Sequence, residues 1–265
     1  MENNKYFKEG VYGLPYIPYL KGEDLLKQCA YFINRANKIA VLTGAGMSTD
    51  SGIPDFRSKN GLYSKTPESM LSLSNFKKNP KEVYDFLYKY LNTLDVKPNR
   101  GHLILKEIED IGKEVNIITM NIDHLHTKSG SSKVYEFHGS LDKAKCLKCG
   151  KIYDINEIID NGKYNYNCSC KGLIKPNIVL YEEDVYHYDK AKEIMLECDL
   201  ILVMGTSMVV NPFATLPSEA KIDTPMIIIN ETPTYLDNDR MAMVIHDNIS
   251  ETLNKIINHI KNKTF

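Results

Sequence analysis

The sequence predicts an α/β fold with a mainly parallel sheet and helices on both faces. Three observations carry that expectation. Short apolar runs that read as strands alternate with segments of helical periodicity. Alternation of this kind favours parallel strands covered on both sides. Apart from a cysteine cluster and a segment at Lys175, every motif below stands at the C-terminal end of a strand or in the loop after it. That is where ligands bind in open α/β sheets.

The elements follow in order. Residues 1–20 carry Pro15, Pro18 and four tyrosines without periodicity and read as an irregular arm. Glu23 to Asn37 reads as a helix, with Leu25, Leu26, Cys29, Phe32 and Ile33 on one stripe. Ile39–Thr43 is a short strand broken by Gly44-Ala45-Gly46. Pro67 to Tyr90 reads as helix in two or three pieces, split near Pro80. Further strands are expected at Val115–Thr119, Val134–Phe137, Asp199–Met204, Met226–Ile229 and Met241–Ile245. The tail reads as a helix, with Leu253, Ile256, Ile257 and Ile260 at helical spacing.

Bulk properties narrow the function. The 265 residues suit one large domain, or a large domain with a small insert. A formal net charge of −1 gives no basic field for nucleic acid or an anionic membrane. No apolar run approaches the roughly 18 residues of a membrane span, and Met1 to Lys8 lacks the plan of a signal peptide. A cytoplasmic protein is expected. Two of the six cysteines, Cys29 and Cys198, stand alone. The others form Cys146-x2-Cys149, eighteen residues, then Cys168-x-Cys170. Four thiolates on two short knuckles suit tetrahedral zinc with no open position, hence a structural site. A disulfide pair is the bland alternative.

Other motifs are weaker one by one. Gly44-Ala45-Gly46 after a strand lets backbone approach a phosphate, or is a plain strand-to-helix turn; Thr49 stands where the usual dinucleotide fingerprint has its third glycine. Asn121 and Asp123 on the next strand-end loop could bind sugar hydroxyls or a carboxamide, or close a turn. His138 closes the strand at Val134 and, taken alone, is more often structural than catalytic. His124 and His126 make an Asp-His-x-His with Asp123, but the cysteines already complete a metal site.

Taken together, the motifs carry a resemblance. Thr43 to Arg57, through Ser48, Thr49, Ser51-Gly52-Ile53-Pro54-Asp55-Phe56, closely resembles the sirtuin signature Gly-Ala-Gly-x-Ser-x-x-Ser-Gly-Ile-Pro-Asp-Phe-Arg. Thr119-Met120-Asn121-Ile122-Asp123 resembles the family's Thr-Gln-Asn-Ile-Asp, with Met120 in place of glutamine. His138-Gly139-Ser140 resembles its His-Gly-Ser. Lys175-Pro176-Asn177-Ile178-Val179-Leu180-Tyr181-Glu182-Glu183 stands where the family usually reads Arg-Pro-Asp-Val-Val-x-Phe-Gly-Glu. Glu182 in place of glycine is a departure. The likeness covers roughly residues 22–250.

The resemblance implies a Rossmann-like domain of residues 1–63, 99–142 and 172–265, a helical module at 64–98 and a zinc-binding module at 143–171. It implies an NAD-dependent protein lysine deacylase, in which NAD is consumed, nicotinamide is released and the acyl group passes to ADP-ribose. His138 is the implied general base, with Asn121 and Asp123 beside it. The implied NAD contacts are Gly44, Ala45, Gly46, Thr49, Ile53, Asp55, Phe56, Arg57, Met120, Asn121, Ile122, Asp123, Gly205, Thr206, Ser207 and Asn230. Arg57 would meet the phosphates. Ile178, Val179, Leu180 and Tyr181 would pair with the acylated peptide. A mono-ADP-ribosyltransferase and a non-catalytic NAD-sensing or peptide-binding module are the alternatives. A dehydrogenase is disfavoured by Thr49. Sirtuins that favour succinyl or malonyl lysine carry Tyr-x-x-Arg on the helical module; the matching stretch, Tyr84 to Leu91, holds Lys89 but no arginine. A neutral acyl group is therefore expected.

Overall fold

In a computed structural model of the chain, residues 20–58, 61–62, 67–91, 96–160 and 162–265 are described, with backbone pairing of Lys8–Glu9 and Pro15–Tyr16. Most of the expected N-terminal arm therefore lies outside the described residues. Helix α1 (Gly22–Arg35) opens with Glu23 and Asp24 in its first turn, where acidic groups meet the positive end of the helix dipole. It leads into β1 (Lys38–Thr43). Two short helices follow, α2 (Leu73–Lys78) and α3 (Pro80–Leu91), with a 3-10 turn at Glu68–Leu71 before them. Pro80 starts the second helix, a position where its missing N–H leaves no hydrogen bond unmade. Next come α4 (Arg100–Asp110), β2 (Glu114–Thr119), the single turn α5 (Leu125–Lys128) and β3 (Val134–Glu136).

The chain then builds a small antiparallel sheet from β4 (Gly139–Cys146), β5 (Ile152–Asp154) and β6 (Ile174–Ile178), with α6 (Ile155–Ile158) between the last two. It returns through α7 (Tyr188–Glu197) to β7 (Leu200–Met204), β8 (Met226–Ile229), β9 (Ala242–Ile245) and the final helix α8 (Ile249–Asn262).

The large sheet is parallel throughout, in the order β9-β8-β7-β1-β2-β3. Its four inner strands bury both faces, while the edge strands β3 and β9 are only partly covered. Ile39, Val41, Ile117, Leu202 and Ile227 turn to α1, α4 and α8. Ala40, Leu42, Ile118, Val203 and Ile228 turn to α7 and the 3-10 turn at Phe213–Glu219. The expected strands agree with the observed ones to within a residue at each end. Helices α4 and α7 and the antiparallel sheet are additions. Asn99 and His102 form the capping box of α4, a pair that the usual Ser/Thr…Glu pattern does not reveal.

The strand order reverses between β1 and β7. The chain leaves β1 toward one edge of the sheet and later returns beside it to go the other way. At this point Gly46 N–H donates to the Gly205 carbonyl (2.9 Å) and Gly44 N–H to Met204 (3.3 Å). Gly205 has φ +60, and a Cβ there would stand 2.2 Å from Met47 N. No side chain fits. Gly205→Ala is expected to destabilise the fold by roughly 2–4 kcal/mol, from backbone strain and steric conflict together. Urea denaturation of the two proteins measures it, and an unchanged midpoint would show that the strand ends can separate freely.

Candidate active site

The loops after all six strands, β1, β2, β3, β7, β8 and β9, line one cavity of about 470 Å³. Six strand ends span about 24 Å at the usual spacing of neighbouring strands. Of the sequence-derived cofactor residues, Gly44, Ala45, Gly46, Thr49, Asp55, Phe56, Arg57, Met120, Asn121, Ile122, Gly205, Thr206, Ser207 and Asn230 lie on its wall. So do His138 and the whole segment Ile178 to Tyr181. Ile53 and Asp123 do not. They are 1% and 2% exposed and stand one layer behind.

That second layer is polar and closely bonded. Ser48 donates to Asp123 Oδ2 (2.7 Å), and Asn121 Nδ2 donates to Ser48 Oγ (3.1 Å). Leu125 N–H donates to Asp123 Oδ1 (2.9 Å). Burial holds the Asp123 carboxyl above its ordinary pKa, against the pull of these donors. Thr43 Oγ1 lies 3.0 Å from His126 Nε2, and His126 packs edge-on against His102 with ring centres 4.7 Å apart. Burial drives both imidazoles toward the neutral form. Asn99 Nδ2 donates to the Met47 carbonyl (2.8 Å), so the start of α4 supports the glycine loop from beneath.

His138 stands at the end of β3, half-buried. Its carbonyl accepts from Val179 N–H (2.8 Å), which joins the histidine turn directly to the segment at 178–181. Burial lowers its pKa to about 4; a hydrogen bond to the Met120 backbone opposes that shift, and the Arg57 charge adds to it. The ring is therefore neutral at physiological pH and free to accept a proton. Arg57 Nη2 is 2.9 Å from Glu68 Oε1 and 3.3 Å from the Tyr181 hydroxyl. His124 pairs with Glu136 (2.7 Å), and His126 is buried at Thr43. Among the described residues, only the cysteines form a metal-binding group.

Some wall residues carry no sequence motif. Val210, Glu231, Thr232, Asn248 and Ile249 join the cavity. All follow the ends of β7, β8 or β9, so the strand-end rule could have found them. Phe86, Leu87 and Tyr90 of α3 form an apolar part of the wall with Leu71, while exposed Lys89 stays off it.

The four cysteine sulfurs all lie within 4.8 Å of one another. Cys146 and Cys170 are 3.5 Å apart, and Cys149 and Cys168 3.7 Å. A disulfide needs about 2.05 Å, whereas four sulfurs about 2.3 Å from a tetrahedral zinc stand about 3.8 Å apart. The distances fit the metal. The protonation chemistry agrees. The Tyr153 hydroxyl and the Cys170 backbone pull the Cys168 thiol down to about 5, while burial and the neighbouring sulfurs push Cys170 up to about 12. A central dication resolves that conflict by stabilising four thiolates at once.

Zinc here should act as a structural clamp. Metal analysis is expected to find one zinc per chain. Chelation, or Cys146→Ser, should lower Tm by more than roughly 10 °C, because the binding energy of a structural zinc is folding energy. A Tm indifferent to chelation would refute the assignment.

Comparison with known proteins agrees with this geometry. The sequence model of the Sir2 family matches residues 44–212. The NAD-dependent protein deacetylase 2 of Geobacillus kaustophilus (strain HTA426) is 40% identical over 250 residues, covering 90% of this chain and 99% of that protein. A solved structure described as "Structural Basis for the Mechanism and Regulation of Sir2 Enzymes" superposes with a TM-score of 0.84 at 36% identity, covering 91% of this chain and all of the other. A second, described as "Sir2-p53 peptide-NAD+", gives a TM-score of 0.79 at 31% identity, covering 88% and 98%. The chain belongs to the Sir2 family, the sirtuins.

Proposed function

We propose that the protein is an NAD-dependent protein lysine deacetylase, which transfers the acyl group from lysine to ADP-ribose and releases nicotinamide. The observation that carries this reading is the meeting, in one cavity, of a neutral His138, the glycine loop and the apolar segment Ile178–Tyr181. Related proteins named as NAD-dependent deacetylases, and a related structure holding a peptide and NAD+, support it.

The residues present fit NAD. The cavity is long enough for an extended dinucleotide, and the backbone of Gly44 to Gly46 and Gly205 to Ser207 borders its centre. Asn230 and Glu231, at the β8 end, suit ribose hydroxyls. Ala45, Asp55, Asn121 and Ile122 would enclose the nicotinamide end, and Phe56 would shield it. When bound, NAD supplies a ribosyl carbon made electrophilic by its nicotinamide leaving group. His138 takes a proton from a ribose hydroxyl as general base. Asp123, fixed by Ser48 and Leu125, holds the Asn121 loop in place. Arg57, held at Nη2 by Glu68 and Tyr181, would meet the phosphates. The acylated lysine enters beside Val179, whose segment receives the peptide as an added strand.

The same reading divides the chain into a cofactor-binding domain (1–63, 99–142, 172–265), a helical module (64–98) and a zinc-binding module (143–171). A single cluster of buried side chains shared by the two inserts, including Phe76 and Leu87 of the first and Ala144 and Ile158 of the second, supports treating them as one small body. The described residues contain no helix long and apolar enough to cross a membrane. The reaction belongs in the cytoplasm, where NAD is abundant and thiolates stay reduced.

His138→Ala is expected to lower deacetylation at least roughly 100-fold, with nicotinamide exchange surviving better because the base acts after nicotinamide departs. The pH profile follows from the depressed pKa. The free enzyme keeps its base unprotonated down to about pH 4, so the acid limb of kcat/KM should fall below 6.5, with activity lost as pH decreases. Normal turnover by the alanine variant would remove His138 from the chemistry. Product mass spectrometry with NAD and an acetyl-lysine peptide tests the reaction itself; ADP-ribosylated peptide in place of acylated ADP-ribose would favour a transferase.

The apolar wall formed by Phe86, Leu87 and Tyr90 favours a neutral acyl group. Acetyl-lysine is expected to exceed succinyl-lysine in kcat/KM by at least roughly tenfold, since a carboxylate would enter the channel without a partner. A succinyl preference measured on the same peptide would show that Arg57 or Lys89 reaches the acyl end.

A further inference from the structure

Glu182 sits where the sirtuin sequence usually has glycine, and its backbone explains why glycine suits the position. It has φ 78, in the left-handed region that side chains disfavour. A non-glycine residue persists there only if its surroundings hold it. They do. Ser74 N–H donates to Glu182 Oε2 (3.0 Å), and the Ser74 hydroxyl donates to Oε1 (2.8 Å). Both oxygens of one carboxylate thus grip one residue of the helical insert.

The grip falls at the end of the substrate segment. Tyr181 N–H donates to the Leu71 carbonyl (2.9 Å), and Leu73 N–H donates to the Tyr181 carbonyl (3.0 Å), a one-residue bridge between segment and insert. Upstream, Leu180 N–H donates to Glu183 Oε2 (2.9 Å), which is held in turn by Lys175 (2.8 Å). A segment that receives a peptide through main-chain hydrogen bonds binds best when its own backbone is already set. Glu182 itself borders the cavity.

We propose that Glu182, through Ser74, is a positioning residue for the acylated peptide: it locks the 178–182 backbone against the helical insert in the receiving geometry. The proposal rests on the deacetylase reading only for the identity of the ligand. The bonds are solvent-exposed, so they add little to global stability; their effect is on the local order of the segment.

The test compares wild type, Glu182→Gly, Glu182→Gln and Ser74→Ala. Binding of a fluorescein-labelled acetyl-lysine peptide is read by anisotropy, with steady-state kinetics and Tm in parallel. Glu182→Gly should raise the peptide Kd and KM by roughly three- to tenfold, the effect of losing a charge-assisted contact partly offset by relief of strain. KM for NAD and Tm should hold. Glu182→Gln keeps one acceptor oxygen and should fall between, as should Ser74→Ala, which keeps the backbone donor. Peptide affinity unchanged in Glu182→Gly would overturn the proposal. So would a joint loss of NAD affinity, kcat and Tm, which marks a merely structural role. Wild type that binds the peptide yet releases no nicotinamide would sink the deacetylase reading alone, and the anisotropy series would still decide the role of Glu182.

Discussion

Two glycine-bearing strand ends touch at the centre of the sheet, and the site exists because they can. Gly46 and Gly205 meet at a backbone hydrogen bond of 2.9 Å with no room for a Cβ. That contact lets β1 and β7 lie side by side while their following loops diverge, one toward Thr49 and Arg57, the other toward Ser207 and Val210. The crevice between diverging loops is what an open α/β sheet offers a ligand. A side chain at either position would push the loops apart and change the floor of the cavity.

The loops need support from behind as well. Buried polar groups are stable only when bonded, and here they are bonded to one another in a layer beneath the wall. Ser48 ties the first loop to Asp123 and Asn121 of the second; Thr43 meets His126; Asn99 holds the Met47 carbonyl. Two buried ring nitrogens, His102 Nε2 and His126 Nδ1, have no hydrogen-bond partner, consistent with neutral rings packed edge to face. The same burial that keeps these histidines neutral acts on His138, but there it yields a base open to the cavity.

How far the sequence revealed this depends on the range of each interaction. The central strands of the large sheet were legible because they are short, mostly apolar runs, as at Ile39–Leu42, Leu200–Met204 and Met226–Ile229. The glycine loop, His138 and the cysteines were legible because their spacing is local. Helix α4 was not, because its start signal is Asn99 with His102 rather than a familiar pair. The strand-end rule marks the loops that hold Glu231 and Asn248, but nothing local says which residue of such a loop turns to the cavity. A motif also does not say how deep each of its residues sits. Ile53 and Asp123 stand inside well-marked strings, yet both are buried behind the wall. Glu182 shows the opposite case: the departure is plain in sequence, but its meaning needs Ser74, 108 positions away.

The zinc cluster and the acyl channel are linked through one helix. Tyr84 of α3 stacks on Tyr164 and Tyr166, with ring centres 5.5 and 5.7 Å away, and its hydroxyl donates to the Ile174 carbonyl (2.8 Å). Tyr166 lies two residues before Cys168, and Ile174 pairs with Cys146 across the small sheet. Phe86, Leu87 and Tyr90, farther along the same helix, line the cavity. Fully buried Tyr84 thus joins the cysteine-bearing β-structure to the apolar wall of the cavity. Helix α3 spans only twelve residues, and its neighbour α2 six. Helices this short are marginal without tertiary packing. The insert therefore takes its order from the cysteine-bearing sheet against which it packs, and a metal remote from the chemistry contributes to the shape of the channel.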